Sequence, residues 1–193
     1  MLASLPVLSL SSAPPDTASA SARPDALPLP SPLALARGLL GYALLGAVAA
    51  LGTDPAAASQ APVGLVSAVG ALALTVPALL VAHPFLTLRA APQALVAAIA
   101  RPFSRTGDLA LGLVPTLLLF RATSGLAQLL LALMLVSAAA LGFSLAIRNL
   151  VAAESGASPD SWSVWKMTLL AWGWSGLAAL IGARLGIGVL WGV

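Results

Sequence analysis

Acid–base or metal chemistry needs ionisable side chains gathered at one place, and this sequence offers few. It has one histidine, His83, no cysteine, nine basic residues, and six carboxylates at Asp16, Asp25, Asp54, Asp108, Glu154 and Asp160. A metal centre draws several His, Cys or carboxylate ligands onto one spot. His83 stands beside Pro84 at the end of an apolar run, where an interfacial polar residue is the simpler reading than a ligand. All six acids fall in predicted tails or loops, and no two of them share a helix face for general acid–base work. The Ser and Thr hydroxyls lack a His or Lys placed to activate them. The expectation is a non-enzymatic protein with no catalytic residue, no metal site and no cofactor.

The elements that carry these residues are dictated by hydropathy. Of 193 residues, 60% are hydrophobic and 8% charged, and the mean hydropathy is +1.01. A soluble domain carries about 25% charged residues, so too few polar groups exist here to coat a water-facing surface. The apolar excess must face lipid. Peptide groups in hydrocarbon pair within their own segment, which predicts an all-α, polytopic bundle. The net charge is only +3 and the cations are scattered between apolar runs. Nucleic-acid binders instead cluster Lys and Arg on one face, so no nucleic-acid partner is expected.

Residues 1–32 are rich in Pro, Ser and Ala and read as a disordered tail. A cleaved signal peptide is the rival, with Ala18-Ser19-Ala20 as its cleavage site, but no basic segment precedes it and Pro6 interrupts its core. The transmembrane domain is residues 33–193, with predicted spans at about 33–52, 62–82, 109–127, 125–147 and 167–190. Pro77 should kink the second. In the 83–108 connector, Leu95, Ile99 and Phe103 recur every four residues after Pro92, which predicts a short amphipathic helix lying in the headgroup layer. An ordinary helix packed on the bundle is the alternative. The third span is the difficult one: 109–120 is too short to cross, extension to 127 places Arg121 inside it and overlaps the fourth, and a re-entrant hairpin competes.

Five spans put Arg23, Arg37, Arg89, Arg101, Arg105, Arg148 and Lys166 on one side and leave Arg121 and Arg184 on the other. The positive-inside rule then predicts a cytoplasmic N-terminus and an outside C-terminus in a cell membrane, a bacterial inner membrane being the expected one. Trp162, Trp165, Lys166 and Trp191 bracket the last span as interface anchors. Arg121 and Arg184 are the candidate intramembrane charges. Arg121 is read as able to neutralise Asp108 or a lipid headgroup, and both arginines as able to snorkel outward. The last span also carries Ala178, Gly182, Gly186, Gly188 and Gly192, two Gly-x-x-x-Gly stretches that flatten a helix for close contact. That contact is either with a partner, which includes a second copy, or within the bundle itself. Ser67, Gly70, Ala71 and the Ala138–Gly142 pair suggest similar seams. The function expected is a structural, scaffolding or accessory subunit acting through helix contacts in the bilayer. A small transporter or anion-permeable channel using Arg121 and Arg184 is the runner-up.

Overall fold

A computed structural model describes residues 28–51, 61–123 and 126–191, and all regular structure among them is helical. Five helices follow one another: α1 (Pro32–Ala50), α2 (Val63–Phe85), α3 (Pro92–Thr123), α4 (Ala127–Ala157) and α5 (Ser161–Trp191). α2, α3, α4 and α5 are each long and apolar enough to cross a membrane, while α1 is a shorter apolar helix. The chain is therefore an α-helical membrane bundle. The tail expected over residues 1–32 lies almost wholly outside the described residues, as do residues 52–60 between α1 and α2. Ser31 caps the first helix: its Oγ accepts the Ala34 N–H at 3.2 Å and Pro32 opens the first turn of α1.

The structure corrects the reading of residues 92–127. The predicted headgroup helix and the third span are one continuous 32-residue helix, α3, with Pro102 and Pro115 inside it. At 1.5 Å per residue it is about 48 Å long, more than the roughly 30 Å that a crossing requires. No re-entrant hairpin forms here, and the overlap with the fourth span disappears because α3 ends at Thr123 and α4 starts at Ala127. The Leu95/Ile99 stripe faces protein, not headgroups. It joins Leu79, Leu150, Met167, Ala171 and Trp174 in the larger buried cluster, in which α2, α3, α4 and α5 meet. A second cluster, built on Tyr42, Leu45, Leu117 and Met134, holds α1 against α3 and α4.

A proline inside α3 is tolerated for an identifiable reason. Pro102 has no N–H, so the Ala98 carbonyl four residues earlier loses its helical donor. Asn149 of α4 supplies the replacement, its Nδ2 donating to Ala98 O at 3.3 Å. Asn149→Leu is expected to destabilise the bundle by about 1–2 kcal/mol, because it leaves that carbonyl unpaired in a buried seam. Thermal unfolding in detergent would measure the loss, and adding Pro102→Ala to the variant should recover part of it by restoring the helical donor. Purely additive effects would show that the two residues are uncoupled.

The closest helix contact is between α1 and α3, which run parallel. A Cβ placed on Gly41 would collide with the Gly107 carbonyl oxygen, and one on Gly107 would collide with the Gly38 backbone. Gly38 and Gly41 thus meet Ser104 and Gly107 backbone to backbone. Tyr42 completes the seam, with its hydroxyl 2.6 Å from Thr106 Oγ1 and its ring stacked on Phe103.

Candidate functional site

The chemistry-bearing residues converge at the corner between α2 and α3, where the chain turns over Leu86–Ala91. The sequence reading ends the fourth span near Arg148 and leaves Glu154 in a polar loop. The structure corrects both: α4 continues to Ala157, and the loop shrinks to three residues before α5. The extension has a physical basis, since Val151, Ala152 and Ala153 continue the helix and the first strong breaker is Gly156. It carries Glu154 into the interior, where it is fully buried.

A buried carboxylate must be matched by donors, and the corner provides them. Glu154 Oε1 accepts the Arg89 N–H at 2.9 Å, and Oε2 accepts the Ala90 N–H at 3.0 Å. His83, in the last turn of α2 and also buried, places Nε2 3.3 Å from Oε2. The contact suits the His83 tautomer with its proton on Nε2, since an ionised carboxylate can only accept. In place of one interfacial and one loop group, the structure joins the two as an ion-pairable couple across α2 and α4. α5 grips the same corner from the other flank. Lys166 Nζ donates to Leu86 O at 2.8 Å and to Thr87 Oγ1 at 3.1 Å. Thr87 holds φ 57°, a left-handed conformation that a β-branched residue rarely adopts. The lysine on one side and the carboxylate on the other hold this turn in place. With His83 and Glu154 both out of solvent, the couple fastens α2 to α4 and to the turn that leads into α3.

The remaining acids divide differently from expectation. Asp108 lies inside α3, not in a connector, and its Oδ1 is 3.4 Å from Arg37 Nε of α1. Arg121 does not reach it: its Nε donates to the Leu51 carbonyl just past the end of α1. Asp160 caps α5, accepting the Ser163 N–H through Oδ2 at 3.2 Å. Asp16, Asp25 and Asp54 lie outside the described residues. Among the described residues, no three His, Cys, Asp or Glu side chains come together.

Arg184 is exposed on α5. The two candidate intramembrane arginines stand on helices with different main neighbours, since α3 packs chiefly on α1 and α4 and α5 on α2 and α4. Trp162 and Trp165 are exposed in the first turns of α5, inside the helix and not before it, and Trp191 is its last residue. The glycine stripe of α5 meets α2. Ala178 is fully buried, Gly182 approaches the Ser67 carbonyl and Ala71, and a Cβ on Gly186 would lie 2.8 Å from Ser67 Oγ. Gly188 falls in the last turn of α5, and Gly192 is outside the described residues. Gly142 likewise closes on Thr106 of α3, at 3.3 Å.

Sequence reasoning missed the Gly38/Gly41/Gly107 seam and the Glu154 clasp. Gly38 and Gly41 are three apart in an apolar run, the spacing that clears one helix face, and that signal was legible. Nothing local pairs His83 with a residue 71 positions later. The bundle defines the class of this molecule: a multipass helical membrane protein. No protein-family profile, no curated protein and no solved structure matches the chain.

Proposed function

We propose that this protein is a non-enzymatic structural, scaffolding or accessory subunit that docks a transmembrane helix of a partner against the lipid-facing side of α5. One observation carries the reading. The inner stripe of α5, Ala178/Gly182/Gly186, is occupied by α2, whereas a Cβ on Gly173 or Gly176, on its outward side, would have nothing within 4 Å. Trp172 and Leu180 flank these glycines at 64% and 68% exposure. Small residues between large apolar ones let a second helix approach closely in lipid, where van der Waals packing drives association. The buried polar pairs His83–Glu154, Tyr42–Thr106 and Asn149–Ala98, by contrast, tie helices of the bundle to one another. The corner side, which carries Arg89, Arg101, Arg105, Arg148 and Lys166, is the cytoplasmic side in this reading.

Purification in mild detergent tests it. A stoichiometric partner should accompany the native protein and be lost on Gly173→Leu or Gly176→Leu, with the melting temperature of the bundle unchanged. Gly182→Leu should instead disturb the bundle itself. Recovery of a lone monomer from native membranes, unaffected by either outward substitution, would refute the reading. The mass of the complex separates a second copy from a different protein.

A further inference from the structure

On the corner side of the bundle, α3 and α4 leave a groove of about 370 Å³ that faces lipid, walled by Arg105, Thr106, Asp108, Leu109, Leu141 and Leu145. Two cations stand over it. Arg105 is part of the wall, and Arg148 lies three residues beyond Leu145, which places it on the same face of α4. Both are exposed, and neither has a hydrogen-bond or ion-pair partner among the described residues. The helices are antiparallel, with Asn149 beside Ala98 and Gly142 beside Thr106. Arg148 therefore sits level with about residue 99, some 9 Å nearer the corner than Arg105 along the axis. By the same register Leu109 and Leu141 lie on the far side of Arg105 from the corner, toward hydrocarbon, while Leu145, level with about residue 103, lies between the two unpaired guanidiniums.

An arginine below the headgroup layer without a counter-ion is costly and seeks an anion or the interface. Asp108 does not provide one for Arg105, because its Oδ1 is turned to Arg37 of α1. Arg37 cancels the only carboxylate in the wall, so the groove remains net positive. Arg101, one turn before Arg105 on the same face of α3, adds to that charge while its Nε donates to the Pro28 carbonyl. A single ligand matches both ends of this groove.

We propose that the α3–α4 groove binds one anionic phospholipid, its phosphate held between Arg105 and Arg148 beside Leu145 and an acyl chain laid against Leu109 and Leu141. Basic pockets between transmembrane helices on the cytoplasmic side recognise anionic headgroups on this principle. The zwitterionic choline headgroup presents its own cation to the arginines and should bind far less well.

Native mass spectrometry of the full chain in mild detergent, with phosphatidylglycerol and phosphatidylcholine of matched acyl chains at equal concentration, tests the site. The native protein should retain one phosphatidylglycerol in preference to phosphatidylcholine. Arg105→Gln with Arg148→Gln should weaken that retention roughly 30-fold. Leu145→Trp, which fills the groove and keeps the charges, should also release the lipid. Arg89→Gln, an exposed cation away from the groove, should leave retention unchanged, and each variant's melting temperature without lipid checks its fold. Equal retention of the two lipids would overturn the site, as would a loss with Arg89→Gln matching that of the double variant. Unchanged retention in Leu145→Trp would overturn the groove as the place of binding.

Discussion

Glu154→Ala should lower the stability of the bundle by about 3–5 kcal/mol, seen as a fall of roughly 10 °C in its melting temperature in detergent. The substitution strips the acceptor from the Arg89 and Ala90 N–H groups and from His83 Nε2 at once. His83 and Ala90 are buried under the corner, and water does not replace a carboxylate there without opening it. His83→Ala should cost less, about 1–3 kcal/mol, since both backbone donors keep their acceptor. Glu154→Gln should fall between the two. Its amide oxygen serves one backbone N–H, while its NH2 turns donor to donor against another. This ordering distinguishes a clasp centred on the carboxylate from one centred on the imidazole. Should His83→Ala prove the more damaging, the backbone contacts are not what holds the corner.

Gly41→Leu should be at least as severe. The side chain would have to occupy space already filled by the Gly107 carbonyl, and no rotamer avoids a contact made by the Cβ itself. α1 and α3 must then separate, exposing the cluster around Tyr42, Leu45 and Leu117. Overpacking typically costs about 1–3 kcal/mol, and a clash of backbone against backbone belongs at or beyond the top of that range. Gly41→Ala should already be clearly destabilising. Gly112, on the same pair's lipid-facing side with nothing within 4 Å, supplies the contrast. Gly112→Ala should be neutral or gain up to about 1 kcal/mol from helix propensity. Melting curves of the three variants read the difference directly. If Gly41→Ala and Gly112→Ala behaved alike, α1 and α3 would not meet backbone to backbone.

Hydropathy along the chain determined by itself that this is a helical membrane bundle, because unpaired peptide groups are not tolerated in hydrocarbon whatever the tertiary arrangement. The same logic placed α2 and most of α1, α4 and α5, whose apolar runs are long and cleanly bounded. It also marked Ala178, Gly182 and Gly186 as a contact stripe. Which helix fills that stripe was decided only by the fold, since a flat helix face specifies closeness and not the identity of its neighbour. Local reading divided α3 at Asp108, where charge usually ends an apolar run, and Pro102 within the helix removes a backbone donor. The structure carries the helix through both, because Arg37 answers the carboxylate and Asn149 answers the missing donor, and both come from other helices. Glu154 shows the limit most clearly. A charged residue near a helix end is solvated by default, and only partners brought from α2 and the corner made its burial stable. Such long-range pairing leaves no periodicity in the sequence, so tertiary structure alone decided it.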